Sequence, residues 1–165
     1  MARKHTLINT LPPPPEAETA KAIAGRYGNK PDALLEIFHD LQHEVGFIPE
    51  AVLPVIAKAL NLSRAEVYGA MSFYHDFRHK PAGRHVIKLC RAESCQAMGA
   101  RQLAAAAQQT LQVGFGETTS DGAITLEAVY CLGNCPLSPN IQVDGKTVGR
   151  MDAEKFGKIA AELRA

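Results

Sequence analysis

Two hydrophobic periods divide this chain. From Glu16 to Phe77, apolar residues recur every three to four positions, the spacing that lines one face of a helix. Leu34, Ile37, Phe38, Leu41 and Val45 form the clearest run. Four short helices are predicted. EAETAKAIAGRYGN is the first and ends at Gly28-Asn29. PDALLEIFHDLQHEVGFIP is the second, with Pro31 near its start, Asp32 in its first turn and Gly46 at its stop. PEAVLPVIAKALNL is the third, with Pro54 in its first turns. SRAEVYGAMSFYHDF is the fourth, where Ser63 caps the helix and Glu66 completes a capping box. Short helices with short links predict a small antiparallel bundle over residues 16–80.

HKPAGRH interrupts the helical run, and the period then changes. HVIKLC alternates and is β-branched, so it reads as a strand ending at Cys90. CQAMGARQLAAAAQQTLQV reads as one long alanine-rich helix, and GFGETTSDG as a turn-rich loop. AITLEAVYC is a strand ending at Cys131, and IQVDGKTVGRM two short strands joined at Asp144-Gly145. DAEKFGKIAAELRA is a closing helix with Asp152 at its N-cap. The order β-α-β-β-β-α over residues 84–165 is thioredoxin-like. The expected class is α/β, a thioredoxin-like domain preceded by a small N-terminal helical bundle. Residues 1–15, ending in Pro12 to Pro15, read as a proline-rich tail.

Composition narrows the function classes. At 165 residues the chain can bury a core without disulfides. Eighteen Lys and Arg balance seventeen Asp and Glu for a net charge of +1, so there is no electrostatic footprint for nucleic acid. Apolar runs fall short of the roughly 20 residues that span a bilayer, which argues against direct membrane insertion. The N-terminus has no continuous apolar signal region, so the expected location is cytoplasmic. Thiols there stay reduced, and clustered cysteines point to metal or redox chemistry.

The four cysteines fall in two pairs, Cys90 and Cys95 in CRAESC, and Cys131 and Cys135 in CLGNC. If the strands before each pair are parallel neighbours, their C-terminal ends share one edge of the sheet. Both pairs then meet in adjacent loops, where ligands of open α/β sheets bind. Four thiolates, two per iron, suit a [2Fe–2S] cluster. Such a cluster is negative, so its loops need N–H donors and little bulk. Gly133 is expected to let the backbone approach closely, the helix near Cys95 to aim its N–H groups at the site, and Arg91 to add positive charge. A four-cysteine zinc site remains open, although these spacings are wide for zinc knuckles. A thiol–disulfide centre is less well matched, because no C-x-x-C opens a helix.

LQHEVGFIPE, EVYGAMSFYHDFRHKPAGRHVIKLC and GETTSDGAITLEAVYCLGNCPLSPNIQVDG together resemble the thioredoxin-like [2Fe-2S] subunit family of NADH-linked dehydrogenases, the family of the 24-kDa subunit of respiratory complex I. The resemblance covers roughly residues 16–165. It implies that Cys90, Cys95, Cys131 and Cys135 carry one [2Fe-2S] cluster. CRAESCQAMG resembles the gamma subunit of soluble NAD-dependent molybdenum formate dehydrogenase more than its complex I counterpart. The partners this implies are an FMN-containing, NAD-binding subunit and, through it, a molybdenum-containing catalytic subunit. The equivalent subunit of complex I or of an NAD-linked hydrogenase is the alternative. No substrate site is expected in this chain, which has no Gly-rich dinucleotide fingerprint.

Three smaller expectations complete the reading. Phe47, Phe73, Tyr74 and Phe77 are expected in the core of the bundle more than at an interface. His39, His43, His75 and His79 are expected at the surface. The Ser138–Pro139 bond, beside the cysteine loops, is expected to be cis.

Overall fold

The structure, a computed structural model, describes residues 14–165. Most of the proline-rich stretch lies outside them. The chain forms two compact units that divide between Pro81 and Ala82.

The first unit holds four helices, α1 (Ala17–Arg26), α2 (Leu34–Val45), α3 (Leu53–Leu60) and α4 (Arg64–Phe73). Single 3-10 turns, Pro31–Ala33 and Glu50–Val52, lead into α2 and α3. Gly46 stops α2 in the left-handed conformation at φ +90°. Pro54 lies in the first turn of α3, where a missing N–H costs nothing. Ser63 and Glu66 form the reciprocal capping box on α4. Helix α1 packs on α2 and α3, and α4 on α3 and α2. The helices bury Ile23, Ile37, Phe38, Leu41, Ile56 and Met71 between them.

Helix α4 ends at Phe73, one turn earlier than the periodicity suggests. Tyr74 is extended, and the next residues bond elsewhere. Gln42 Nε2 donates to Asp76 O at 2.8 Å, Gln42 Oε1 accepts from Arg78 N at 2.6 Å, and Ile48 N donates to Arg78 O at 2.8 Å. These tertiary bonds hold residues 76–78 where another helical turn would have continued. The early stop also corrects the aromatic assignment. Phe77 is buried against Phe38, with ring centroids 5.2 Å apart. Phe47 is half-buried. Phe73 and Tyr74, expected inside, are exposed at 71% and 44%. The four histidines named above are all exposed.

The second unit runs β1 (His85–Cys90), α5 (Glu93–Ala97), α6 (Ala100–Leu111), β2 (Glu117–Thr118), β3 (Ile124–Val129), β4 (Ile141–Val143), β5 (Lys146–Val148) and α7 (Ala153–Glu162). The five strands form one sheet in the order β2-β3-β1-β4-β5. Strands β1 and β3 are parallel, and the other three pairings are antiparallel. Helices α6 and α7 pack on each other and share a core with the sheet, built from Ile87, Leu89, Leu103, Leu111, Ile124, Leu126, Ile141 and Phe156. Asp152 caps α7 by accepting from Lys155 N at 2.8 Å.

Two local features differ from the sequence expectation. The single long helix is two, because Gly99 sits at φ +98° between α5 and α6. The turn-rich loop contains the short edge strand β2. There Thr119 Oγ1 bonds the Asp121 carboxylate and accepts from Ile124 N at 3.0 Å, and Asp121 accepts from Ala123 N at 3.0 Å. GETTSDG is therefore a structural turn at the start of β3, at the opposite end of that strand from Cys131. No helix among the described residues is long and apolar enough to cross a membrane.

Candidate metal centre

The site follows from the parallel pairing. Strands β1 and β3 run in register from His85 opposite Ile124 to Cys90 opposite Val129, so their C-terminal ends lie side by side. Cys90 is the last residue of β1. Cys95 lies inside α5, which starts two residues before it. Cys131 lies two residues past the end of β3, and Cys135 opens a 3-10 turn, Cys135–Leu137. Cys90 and Cys95 are buried, Cys131 and Cys135 exposed, and all four are free thiols. The Ser138–Pro139 bond that follows is cis.

Backbone hydrogen bonds tie the loops to the sheet. Cys90 N donates to Asn140 O at 3.1 Å, and Arg91 N to Val129 O at 2.7 Å. Gln96 Nε2 donates to Arg91 O at 2.7 Å and closes the first cysteine loop. Asn134 closes the second. Its Nδ2 donates to Asn140 Oδ1 at 2.9 Å, and its carbonyl accepts from Asn140 Nδ2 at 2.8 Å. Cys131 adopts φ +106° and Gly133 φ +75°. A non-glycine residue at positive φ is uncommon and costly. At Gly133 an added Cβ would meet nothing in the protein within 4 Å, so its dihedral, not close protein contact, accounts for glycine there.

Donors surround the sulfurs. The backbone N–H groups of Ala92 and Cys131 lie beside the Cys90 sulfur and favour its charged form. The Cys95 sulfur receives the Asn140 backbone N–H, the Asn140 Nδ2 at 3.5 Å and the Ser138 Oγ at 3.4 Å. Gly133 N donates to the Cys131 sulfur at 3.4 Å. These bonds divide the thiols. Burial pushes Cys95 up, but the Ser138 hydroxyl, the Cys90 thiol and Asn140 outweigh it, and Cys95 lies below the ordinary thiol value. Burial raises Cys90 despite its two N–H donors. The neighbouring Cys131 thiol raises Cys135.

The donor set fits an iron–sulfur group. The Cys131 and Cys135 sulfurs are 3.7 Å apart, close to the edge of a tetrahedron with metal–sulfur bonds of about 2.3 Å. No group of three His, Cys, Asp or Glu side chains among the described residues sits at the spacing for a single ion. Cys131 and Cys135 form one close sulfur pair, Cys90 and Cys95 neighbour each other in the first loop, and the Gly133 N–H and the Asn140 amide face sulfurs of the two pairs. Both features suit a negative dinuclear cluster.

The structure brings the two cysteine pairs to one edge and adds residues that the sequence reading missed. Arg91, assigned to the site's positive charge, lies over the Phe115 ring at 5.1 Å and lines a cavity of about 370 Å³ with Gln96 and Arg101. The N–H groups beside Cys90 come from Ala92, the N-cap of α5, and from Cys131 in the second cysteine loop. The sequence reading assigns no role to the side chains of Ser94, Ser138 and Asn140, which lie against the cysteines. Ser138 and Asn140 are buried polar residues beside an apolar strand, a signal that only a known fold makes readable.

Parallel strands whose C-terminal ends lead into two cysteine-bearing loops, in a sheet that shares its core with a pair of helices, define a thioredoxin-like domain. Residues 20–164 match the family model for the thioredoxin-like [2Fe-2S] ferredoxin, and the chain belongs to that family. Its cofactor is one [2Fe-2S] cluster. The chain is 36% identical over 148 residues to an NADH-quinone oxidoreductase subunit of Rhizobium meliloti (strain 1021), covering 90% of this chain and 88% of that protein. It is 32% identical over 144 residues to the corresponding NADH-quinone oxidoreductase subunit of Escherichia coli (strain K12), covering 87% of each. Its fold resembles part of an NAD+-reducing [NiFe]-hydrogenase in the air-oxidized state, with a TM-score of 0.67 at 20% identity. That match covers 80% of this chain and 23% of the hydrogenase chain.

Proposed function

We propose that Cys90, Cys95, Cys131 and Cys135 hold the cluster. The chain then serves as the electron-transfer subunit of a cytoplasmic NAD-dependent formate dehydrogenase. The parallel register of β1 and β3 carries this reading, because it brings both cysteine pairs to one edge. The cluster supplies a one-electron centre. The chain's own residues bind it through four sulfurs, offer N–H groups to its negative charge, and bury one pair while leaving the other at the surface. That asymmetry leaves one side of the cluster open to a redox partner.

The partner in this reading is an FMN-containing, NAD-binding subunit, with a molybdenum-containing subunit beyond it. Exposed apolar side chains support docking at the cluster edge. Met98 and Tyr130 are 62% and 72% exposed, and Leu137 is also exposed, each within three residues of a cysteine. Phe73 and Tyr74 support a docking role for the helical bundle. The formate assignment rests on CRAESCQAMG. The second reading is a subunit of an NADH-quinone oxidoreductase or an NAD-linked hydrogenase, and the names of the relatives favour the first of these two.

Affinity purification of the tagged chain from its native cells separates the two. Co-purified molybdenum with formate-dependent NAD reduction supports the first reading. Rotenone-type NADH:quinone activity, or nickel with hydrogen-dependent NAD reduction, supports the second and removes the first.

A further inference from the structure

We propose that Asn140 is a positioning residue that tunes the cluster through the Cys95 sulfur. The inference rests on the four-cysteine reading above. Three groups can donate to that sulfur, and they are not equivalent. The Ser138 hydroxyl has one proton, and Cys135 O lies closer to it, at 2.8 Å, than the sulfur does at 3.4 Å. The carbonyl and Ser94 Oγ, at 3.0 Å, compete with the sulfur for that one proton. The Asn140 amide has two protons. One goes to Asn134 O at 2.8 Å, and the other faces Cys95 Sγ at 3.5 Å. The backbone N–H of Asn140 also lies beside that sulfur and favours its charged form.

The amide cannot turn over. Asn134 O only accepts, and Asn134 Nδ2, 2.9 Å from Asn140 Oδ1, only donates. Asn140 is 1% exposed, so bulk water does not compete for its N–H groups. Its carbonyl accepts from Cys90 N at 3.1 Å. One buried residue thus contacts the first cysteine pair through a sulfur and a backbone bond, and the second loop through Asn134.

Reduction adds negative charge to the cluster and its sulfurs, and a hydrogen bond to a more negative acceptor is stronger. A fixed donor therefore favours the reduced form. Removing the side-chain donor should shift the reduction equilibrium about tenfold toward the oxidised state, ~59 mV for a one-electron couple.

The test is a potentiometric EPR titration of the full-length protein and its Asn140→Ala and Asn140→Asp variants. Each sample is also assayed for iron and labile sulfide. A midpoint lowered by the equivalent of about tenfold or more, in a variant with full cluster content, supports the proposal. An unchanged midpoint with full content overturns it. A second readout needs no variant. Wild-type protein carrying asparagine labelled with 15N at the side-chain amide should show nitrogen hyperfine coupling to the reduced cluster. Its absence overturns the proposal even if both variants fail to assemble. Wild-type protein without iron and sulfide would instead remove the cysteine reading itself.

Discussion

Gly149→Ala separates two reasons for glycine near the site. Gly149 follows β5, where the chain passes the second cysteine loop. A Cβ there would sit 2.6 Å from Leu137 Cβ, 2.7 Å from Leu137 O and 2.9 Å from Asn140 Oδ1. The first two atoms cannot swing aside without moving the backbone. That backbone is bonded to the segment after Gly149, through Arg150 N to Leu137 O at 2.6 Å and Met151 N to Pro139 O at 2.9 Å. Weakening two such bonds costs about 1 kcal/mol each, and overpacking adds roughly 1–3 kcal/mol, for a loss of about 3 kcal/mol or more. Gly133→Ala is the matched control. It has no steric contact and only its φ of +75° to lose, roughly 1–2 kcal/mol. For a unit of this size each kcal/mol moves the melting point by about 4–8 °C. Anaerobic melts followed by visible absorbance of the cluster should place Gly149→Ala at least about 4 °C below Gly133→Ala. Equal melting points would refute the close-approach argument. Loss of the cluster from Gly133→Ala alone would show that Gly133 needs clearance from the cluster after all.

Other perturbations test other parts of the account. Replacing any one of Cys90, Cys95, Cys131 or Cys135 by serine should reduce bound iron while circular dichroism still reports folded helices; retained iron would exclude that residue as a ligand. Ser63→Ala removes the side-chain acceptor of Glu66 N and should cost the bundle about 1 kcal/mol in urea unfolding, with the cluster's EPR signal unchanged. The Asp152 carboxyl is held below its usual range by the Lys155 N–H and ammonium. Its contribution to stability is therefore complete above the unfolded carboxyl value of about 4 and is lost as pH falls through the lower folded value. Asp152→Asn, which keeps a capping oxygen, should be less sensitive to acid between about pH 4 and pH 2 in far-ultraviolet circular dichroism. Matching acid profiles would contradict that role.

Much of the fold was legible because local signals and tertiary structure agree. The capping box at Ser63 and Glu66, the stop at Gly46, the hairpin at Asp144-Gly145 and the cap at Asp152 are all chemically explicit in the chain. The parallel pairing of the two cysteine-bearing strands followed from a helical crossover between them. The failures arose where long-range contacts decide. Nothing near Tyr74 announces that Gln42, more than thirty residues earlier, will hold the following segment out of the helix. Gly99 sits in an alanine-rich run that tolerates one glycine, so the break between α5 and α6 left no mark in the hydrophobic pattern. Strand β2 has two residues, too few for a period.

The candidate site divides the same way. Cysteine spacing at strand ends is a sequence property, and it pointed to the sulfurs. The hydrogen bonds around them are properties of the fold. Asn140 lies five residues from Cys135 in the chain, yet its amide faces Cys95 on a different loop. Gly149 is required by Leu137 and Asn140, which approach it only once β4 and β5 have paired.

Metal analysis of anaerobically purified protein tests the central claim most directly. The account predicts about two irons and two labile sulfides per chain, with an S = 1/2 EPR signal after dithionite reduction. Stoichiometric zinc without iron, in protein that has kept its native metal, would contradict it.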